Sequence, residues 1–423
     1  MKTNQAKTKG DGRIWDVVVV GGGPAGMMAA AHAAARGCSV LLLEKNEKLG
    51  KKLLISGGGR CNVTNNKPEV RTMLAKYKEG GKFLFSTFTQ FSVKDSFVYF
   101  ESRGVPLKEE NEGRMFPASN TSQSIWDTLV QSMKEGGVTV RMKSVVSGIT
   151  KDKKTGNFNI ELVTDEKICA CSCIVATGGT SHPETGSTGE GFQWLKKLGH
   201  TIVSNNLGLV PIALSDTWVK KLGGVTLSEI KLTIFVDRKK KSVHNGKLLF
   251  THFGISGPTV LNMSKAVGEL LEEGAVTLSL DIFPKLDTGA LRKHLQSLLV
   301  AESNKKVKNV LGGLIPTALV APLLTLAGID GEMLNHSVRT ENRTKLVTLL
   351  KAVPLHVKGL LGADKAVISA GGVDLKEINF KTMESRIVSG LYLTGDVLNI
   401  DRPSGGYSLQ LCWSTGYVAG SNA

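Results

Sequence analysis

The chain has 423 residues, of which 41% are hydrophobic and 21% are charged, a composition typical of folded enzymes that excludes a largely disordered protein. Lysine and arginine outnumber aspartate and glutamate by 53 to 37, and the resulting net charge of +16 suits a polyanion, an anionic membrane surface or anionic ligands. No apolar run is long enough for a membrane span, and the polar amino terminus lacks the apolar core of a secretory signal, so we expect a cytoplasmic protein.

The first 45 residues predict a strand, a tight turn, a helix and a second, parallel strand. Residues 14–20 are an apolar, β-branched run that ends in a glycine-rich turn. An alanine-rich segment typical of a helix follows and ends at Gly37, and residues 38–45 are the next apolar run. This order of elements is the βαβ unit of doubly wound α/β folds.

Within this unit, Gly21, Gly23 and Gly26 have the spacing of a dinucleotide-binding turn, and Glu44 ends the second strand. Gly21 permits the tight turn, Gly23 admits a pyrophosphate close to the backbone, and Gly26 lets the helix pack on the strand. The helix amino terminus favours the negative charge, and Glu44 can accept hydrogen bonds from a ribose. The predicted dinucleotide site comprises Gly21, Gly23, Pro24, Ala25, Gly26, Glu44 and Lys45.

Two further strand ends favour FAD over NAD. Residues 173–179 form a strand that ends in small residues, and residues 389–397 form an apolar strand that ends in Gly395 and Asp396. An aspartate at this place can hold the ribityl hydroxyls of a flavin that extends across the sheet edge, an anchor that NAD does not need. The residues added to the predicted FAD site are Ala176, Thr177, Gly178, Gly179, Gly395 and Asp396.

The rest of the chain predicts a domain that is interrupted by an insertion. We expect residues 70–135 to be mostly helical, and we expect three successive strands in 138–152, 158–165 and 167–179. Beyond Gly191 the pattern predicts strands of a separate small sheet or barrel in 208–214, 224–236, 244–250 and 274–283, then helix-rich segments in 288–302 and 305–360.

The predicted fold class is therefore α/β, with a discontinuous FAD-binding Rossmann domain and an inserted domain that is β-barrel-like and helical. The predicted boundaries are 14–191 for the first part of the FAD-binding domain, 192–362 for the insertion, and 363–423 for the second part. The strand patterns in 366–378 and 389–400 are typical of a sheet that the chain rejoins, and a final helix follows them.

The most concentrated basic run is Arg238 to Lys241, directly after a strand-like segment. It lacks the interleaved aromatic residues of a nucleic-acid groove, so we interpret it as a solvated hairpin tip and do not expect nucleic acid as a partner. Cys169, Cys171 and Cys173 alternate along one predicted strand, and they are interpreted as small fillers rather than a metal site because no histidine or CxxC pair completes a tetrahedral ligand set.

Four longer segments make a resemblance specific: 48–65, 180–192, 248–264 and 395–420. They resemble one bacterial flavoprotein family of NAD(P)/FAD-dependent oxidoreductases, also called NAD(FAD)-utilizing dehydrogenases. This family includes aminoacetone-oxidase-like proteins and 3-dehydro-bile-acid 4,6-reductases. The resemblance spans about residues 14 to 421 and implies a glutathione-reductase-like FAD domain with an insert.

The resemblance also implies further cofactor contacts. A glycine-rich loop would lie along the pyrophosphate and the flavin, with Lys52 or Arg60 supplying compensating charge. The last helix would begin against the flavin pyrimidine ring, and the backbone of Val146 would meet the adenine. The residues concerned are Lys52, Ser56, Gly57, Gly58, Gly59, Arg60, Cys61, Asn62, Val146, Gly405, Gly406, Tyr407, Leu409 and Gln410. Two departures from the usual family pattern are Asp396, where relatives often have glutamate, and the turn 401–404.

A flavin itself carries the hydride chemistry, so the protein has to orient the substrate and control the access of solvent. No acid–base pair stands out in the sequence. By resemblance, the catalytic candidates are His252 and the polar turn 181–184; a histidine held by hydrogen bonds at a domain hinge is an equally good interpretation of His252. Cys61 and Cys412 could be reactive thiols, although buried fillers are the more frequent case.

The resulting hypothesis is an FAD-dependent oxidoreductase that uses NAD(P)H to reduce a conjugated, enone-like substrate of steroid or bile-acid type. Only one dinucleotide fingerprint is present, so the nicotinamide would dock transiently. The alternatives are an oxygen-dependent amine oxidase that produces hydrogen peroxide, and a flavin-bearing protein that binds nucleic acid or modifies tRNA, as the net charge suggests. The sequence indicates neither the substrate nor the oligomeric state.

Overall fold

The computed structural model describes residues 13–203, 209–362 and 371–423. These residues form two compact units: 13–203 with 371–423, and 209–362. The second unit thus begins later than the predicted boundary at 192. The reason lies in residues 190–197, a helix that buries Trp194 and Leu195 in the hydrophobic core of the first unit.

The strands and helices are numbered along the chain. The described strands are β1 (Ile14–Val20), β2 (Val40–Leu43), β3 (Thr64–Asn65), β4 (Leu107–Glu110), β5 (Arg114–Pro117), β6 (Thr139–Arg141), β7 (Val146–Lys151), β8 (Phe158–Leu162), β9 (Lys167–Val175), β10 (Ile202–Val203), β11 (Ile212–Leu214), β12 (Thr226–Val236), β13 (Lys239–Thr251), β14 (Gly254–Ser256), β15 (Val276–Asp281), β16 (Val353–Leu360), β17 (Gly372–Val373), β18 (Ile378–Asn379), β19 (Glu384–Ser385) and β20 (Leu391–Leu393). The described α-helices are α1 (Pro24–Ala35), α2 (Lys51–Ile55), α3 (Val70–Leu74), α4 (Phe85–Gln90), α5 (Val93–Glu101), α6 (Ser122–Glu135), α7 (Glu190–Lys197), α8 (Pro258–Glu273), α9 (Thr288–Ala301), α10 (Val307–Gly312), α11 (Thr317–Ala327), α12 (Thr340–Lys351) and α13 (Tyr407–Asn422).

The first unit is built on a sheet with the strand order β18-β19-β20-β9-β1-β2-β6, and β8 and β7 extend it from β9. Strand β1 is parallel to both β2 and β9, with Val20 opposite Leu43 and Val175. Its four valines are buried, as expected of a central parallel strand that is covered on both faces. Strands β1, β9 and β20 therefore end at one edge of the sheet.

Helices α1 and α13 pack closely because small residues line their contact. A Cβ built on Gly416 would lie 2.5 Å from the backbone oxygen of Ala25, and one on Gly420 would lie 2.2 Å from that of Ala29. The alanine-rich composition of α1 thus serves tight helix packing as well as helix propensity. This packing holds the start of α1 in a fixed position beside α13.

The region 70–135 contains the predicted helices, but it also contains a hairpin that the prediction missed. Strands β4 and β5 pair antiparallel, and β5 also pairs with β3. The hairpin turns at Glu112, whose φ is +67°. Its strands are short and β4 is largely charged, so they lack the alternation of apolar residues that predicts a strand. The first of the three strands predicted next is in fact two, β6 and β7, because the chain turns between them at Lys143, with φ +54°.

The second unit is a closed barrel with the order β11-β14-β13-β12-β15-β16, together with helices α8 to α12. Strand β12 alternates buried apolar residues with more exposed ones, which is the pattern that predicted it. The prediction of helix up to residue 360 was wrong at its end, because β16 closes the barrel by pairing with both β11 and β15. Pro354 lies in this strand opposite Ser279.

The inserted barrel and helices confirm the predicted fold class. None of the described helices is long and apolar enough to cross a membrane. Among the described residues there is also no cluster of three histidine, cysteine or acidic side chains that could hold a metal ion. Residues 363–370, part of the segment predicted to rejoin the sheet, lie outside the described residues.

Candidate dinucleotide site

The three glycines of the predicted dinucleotide fingerprint have two different environments; Gly21 and Gly23 lie between β1 and α1, and Gly26 lies in the first turn of α1. Gly21 has φ +108°, and a Cβ there would lie 2.5 Å from the carbonyl oxygen of Ala176. A Cβ on Gly26 would lie 1.9 Å from the carbonyl oxygen of Gly21. Gly23 differs, since its Cβ would meet no atom within 4 Å, and no side chain caps the helix that starts after it. The turn is therefore packed on one side and open above the amino terminus of α1, where an anion is favoured.

Glu44 lies at the end of β2 and faces this turn. Its Oε2 accepts a hydrogen bond from the backbone of Gly22 at 2.8 Å, and its Oε1 accepts from the backbone and the side chain of Asn46. These bonds fix a buried carboxylate beside the turn, where it could also accept from ribose hydroxyls. The neighbouring Lys45 is committed elsewhere, because its Nζ lies 2.8 Å from both Thr188 Oγ1 and Glu190 Oε2.

The glycine-rich loop follows α2 in an unusual backbone conformation. Gly57, Gly58, Gly59 and Cys61 all have positive φ, between +58° and +82°. A Cβ on Gly58 or Gly59 would meet no atom within 4 Å, so these two residues leave open space above the backbone. Asn62 ties the loop to the start of α13: in the amide orientation that its neighbours require, its oxygen accepts from the backbone N–H of Gly406 at 2.9 Å.

The two cations predicted to balance the pyrophosphate differ. Arg60 donates to Glu110 at 2.8 Å and covers the ring of Phe116, so its charge is already paired. Lys52 donates at 2.8 Å to Ser187 Oγ and also bonds the backbone oxygen and hydroxyl of Ser181. Burial lowers the pKa of Lys52, and the nearby Asp396 opposes that shift. Lys52 is thus the better candidate for a cation at this site.

The two thiols of this region are neutral. Burial raises the pKa of Cys61 to about 12 and that of Cys412 to about 12. Because the thiolate is the nucleophilic form, neither cysteine has the character of a reactive thiol.

The end of β9 lies against the glycine turn. The backbone N–H of Ala176 donates to the carbonyl oxygen of Val20. Gly178 has φ +72°, and a Cβ built on it would lie only 2.8 Å from Ser187 Oγ. The hydroxyl of Thr177 is buried without a partner in the described part of the chain. Gly179 follows directly, and Val146 is buried at the start of β7.

Gly395 follows the end of β20 and lies against the start of α1. It has φ +64°, its N–H donates to Thr415 Oγ1 at 3.0 Å, and a Cβ there would lie 3.1 Å from the Cβ of Ala25. Asp396 follows and forms an ion pair with Arg402, a residue that sequence reasoning noted only as part of an unusual turn. The structure therefore brings the ends of β1, β9 and β20 together as predicted.

The start of α13 completes this edge of the first unit. Gly406 has φ +96° and would clash with Thr64 if it carried a Cβ, and the preceding Gly405 accepts a bond from Asn65. The backbone oxygen of Tyr407 accepts from the hydroxyl of Tyr77 at 2.7 Å. Leu409 is half-buried and packs against the core.

The side-chain oxygen and nitrogen of Gln410 both form hydrogen bonds within the protein. Its oxygen accepts from the hydroxyls of Thr64 at 2.6 Å and Ser96 at 2.9 Å, and its nitrogen donates to Ser92 and Ser414. With all four bonding positions taken, the side chain joins α13 to its neighbours and is not available to a cofactor. The backbone N–H of Gln410 also already donates to the carbonyl oxygen of Gly406.

The catalytic candidates lie in different places. His252 is in the second unit, in the two-residue turn between β13 and β14, where it is exposed and its ring lies edge-on to that of Phe253. Its catalytic role remains a prediction. His182 is in the first unit and pairs through Nδ1 with Glu184 at 2.7 Å.

The first unit fits a bound FAD on three observations. The backbone is open above Gly23, Gly58 and Gly59, helix α1 begins without a side-chain cap, and carboxylates stand at Glu44 and Asp396. These features define a Rossmann-type flavoprotein oxidoreductase.

The comparison with known proteins indicates the same class of protein. The model of the HI0933-like protein Rossmann domain matches residues 15–422, so the chain belongs to that FAD-binding oxidoreductase family. It is 31% identical over 408 residues to the ribosomal RNA dihydrouridine synthase of Escherichia coli, covering 96% of each chain. It is 30% identical to the 3-dehydro-bile acid delta(4,6)-reductase of Clostridium scindens, covering 92% of this chain and 95% of the relative.

The fold is also similar to that of a solved 3-ketosteroid-delta4-(5alpha)-dehydrogenase from Rhodococcus jostii. The TM-score is 0.53 at 15% identity, and the match covers 99% of this chain and 98% of the other. This likeness concerns the fold alone.

Proposed function

We propose that this flavoprotein reduces a carbon–carbon double bond conjugated to a carbonyl group, with NAD(P)H as the electron donor. The observation that carries the proposal is an open FAD site in a chain that is similar to two relatives whose names describe this one chemistry. Dihydrouridine arises when the ring double bond of uracil, which is conjugated to a carbonyl, is saturated. A delta(4,6)-reductase acts on double bonds conjugated to the 3-keto group.

The net reaction adds one hydride and one proton across the double bond. The hydride comes from NAD(P)H, which leaves as NAD(P)⁺, and the proton comes from water or from an acid of the protein. When bound, FAD supplies the hydride chemistry through its flavin ring. The chain would hold it with the open backbone at Gly23 and Gly58, with Glu44 on the ribose side and Lys52 as the cation. With one dinucleotide fingerprint in the chain, we propose that the nicotinamide docks only transiently.

Among the two substrate classes, we favour uridine in RNA over a steroid or bile acid. Sequence reasoning placed nucleic acid low among the partners, but the net charge of +16 and the similarity to an RNA-modifying relative support it. In the barrel unit, residues 209–362, lysine and arginine number twenty against twelve acidic residues. An RNA substrate would place the reaction in the cytoplasm.

The hairpin tip of the barrel unit supports the same substrate class. Asp237 and Arg238 form a two-residue turn between β12 and β13, both with positive φ. Arg238, Lys239 and Lys240 are exposed, and no ion pair is found for them within the described residues, whereas Lys241 pairs with Glu273. Unpaired surface cations are the groups that can replace counterions on a phosphate backbone.

The first experiment is an anaerobic reduction of the holoprotein with NADH and with NADPH, followed by absorbance of the flavin. We expect at least one of them to bleach it. The reduced protein is then offered RNA isolated from cells that lack this protein or a 3-keto-4-ene steroid. Reoxidation by RNA with a gain of two hydrogen atoms on uridine supports the favoured substrate, and reoxidation by the steroid alone supports the other. If neither nicotinamide bleaches the flavin and an amine yields hydrogen peroxide, the protein is an oxidase instead.

A variant of the hairpin tip tests the RNA substrate separately. The double change Lys239→Gln and Lys240→Gln should weaken RNA binding several-fold at low salt and reduce the slope of log affinity against log salt by roughly two. The matched control is Lys305→Gln with Lys306→Gln, since these two lysines of the same unit are already paired with Glu302 and Glu332. Equal losses in both variants would count against a specific role of the tip, and steroid reduction should change in neither.

A further inference from the structure

Arg402 is an almost completely buried cation at the edge of the first unit. Its side chain is 1% exposed, and its guanidinium donates to three different acceptors. Nη1 bonds the backbone oxygen of Ile400 at 2.8 Å, Nε bonds Ser408 Oγ at 3.0 Å, and Nη2 bonds Asp396 Oδ1. A buried charge is strongly destabilising unless it is paired in this way.

Only one of the two carboxylate oxygens of Asp396 accepts a hydrogen bond from the described part of the chain. Arg402 bonds Oδ1, whereas Oδ2 has no hydrogen-bond partner in the described part of the chain, and the side chain keeps 16% of its surface exposed. Glu44 is different, because both of its oxygens already accept bonds from the protein. Asp396 thus has an acceptor that is free and accessible beside a partner that is fixed.

The position of Asp396 is also fixed by its neighbour in the chain. Gly395 is bonded to Thr415 and packs against Ala25 in the glycine turn. Asp396 therefore directly follows a residue that packs against the start of α1, where the cofactor would bind. Asp396 opposes the lowering of the Lys52 pKa by burial, so the carboxylate acts on a second cation besides Arg402.

We propose that Arg402 is a positioning residue that holds Asp396 through Oδ1 and so presents Oδ2 to a hydroxyl group of bound FAD. This inference rests on the FAD site and is independent of which substrate is reduced. A fixed acceptor binds more tightly than a mobile one, because its side chain loses less conformational freedom on binding. Arg402 also keeps a positive charge near the cofactor, which favours the more negative, reduced form of a flavin.

The test compares Arg402→Met, Arg402→Lys and Asp396→Asn by titrating the apoprotein with FAD and following flavin fluorescence. Loss of one charge-assisted hydrogen bond is worth about 1.5–3 kcal/mol, or roughly 10- to 100-fold in affinity. We expect Arg402→Met and Asp396→Asn to weaken FAD binding by that range and Arg402→Lys to restore part of it. The control Arg343→Met removes a half-buried arginine that bonds Val338 in the second unit, and it should leave FAD affinity unchanged.

A second variant separates positioning from mere charge balance. Arg402→Gln combined with Asp396→Asn removes both charges of the pair and keeps polar side chains at both positions. If Arg402 only neutralises a buried carboxylate, this pair will recover both urea stability and FAD affinity, and the proposal is overturned. If Arg402 positions Asp396, stability will recover while FAD affinity stays low. The midpoint potential of residual bound flavin should also move to more negative values in Arg402→Met and return in Arg402→Lys. An affinity within about twofold of wild type in both single variants would overturn the proposal as well.

Discussion

The glycine turn after β1 and the glycine-rich loop after α2 use the same residue type for different physical reasons. In the turn, Gly21 and Gly26 are required because any side chain would strike backbone, at 2.5 Å and 1.9 Å. In the loop, Gly58 and Gly59 strike nothing, and what they supply is a positive φ and an uncovered backbone. The comparison separates glycines that hold the fold together from glycines that leave room for a ligand. Gly23 belongs with the second group although it lies in the turn.

Gly26→Ala should have the largest effect. Its methyl group would lie 1.9 Å from the carbonyl oxygen of Gly21 and 3.2 Å from the side chain of Ala176, and neither the turn nor β9 can move away freely. We expect a loss of about 3 kcal/mol or more in the free energy of unfolding, measured by urea titration of the apoprotein, and loss of FAD. Gly37→Ala is the control, because Gly37 has φ +89° at the other end of α1 with no atom within 4 Å, and it should cost about 1 kcal/mol. Equal losses would contradict a steric role for Gly26.

Gly23→Ala should separate binding from folding. Gly23 has an ordinary φ of −78°, and an added methyl group would meet no protein atom within 4 Å, so the urea midpoint of the apoprotein should stay close to wild type. The same methyl group would occupy the space above the start of α1. We therefore expect FAD affinity to fall roughly 10- to 100-fold, which is about 1.4–2.8 kcal/mol. Unchanged affinity in a fluorescence titration would place the pyrophosphate elsewhere.

The loop contains a buried titratable group that the turn lacks. Burial raises the pKa of Cys61 to about 12, whereas an unfolded thiol titrates near about 8.5. The unfolded chain therefore loses this proton first, so stability is fully present below about pH 8.5 and falls as the pH rises toward 12. By about pH 10 this group alone should cost about 2 kcal/mol. The measurement is urea stability at pH 8 and 10, and Cys61→Ser should show a smaller decrease than wild type. The same decrease in both proteins would assign the alkaline loss to other groups.

Patterns that are local in the sequence predicted much of the first unit. The run 14–20, the glycine spacing and Glu44 are close in the chain, and the glycine contacts assign to Gly21 and Gly26 the packing roles expected of them. The barrel strands were predicted for the same reason, because alternation is visible within one segment. The hairpin β4–β5 was missed since its short, charged strands are held by pairing rather than by their own pattern.

Side-chain partners could not be predicted, because they are chosen by the tertiary fold. Lys52 bonds Ser187, which is 135 residues away in the chain, and Gln410 bonds Thr64 across 346 residues. Arg402 was noted only as an unusual residue in a turn, and nothing in the sequence indicated that it would be buried on Asp396. Such contacts decide whether a side chain faces a cofactor or the core, and the side chain of Gln410, a residue predicted at the cofactor site, is taken up by bonds within the protein.

The smallest effect, and the sharpest comparison, is expected from Gly58→Ala set against Gly328→Ala. Gly58 has φ +69° and Gly328, after α11 in the second unit, has φ +70°, and neither has an atom within 4 Å of its Cβ position. The backbone strain of an alanine is therefore matched at about 1 kcal/mol in the two variants, and urea titration should show similar losses. Only Gly58→Ala should also weaken FAD binding, because only its methyl group enters the proposed cofactor space. If both variants bind FAD as wild type does, the loop glycines serve only the backbone conformation of the chain. The glycine turn and the glycine-rich loop would then differ only in how closely other atoms approach their glycines.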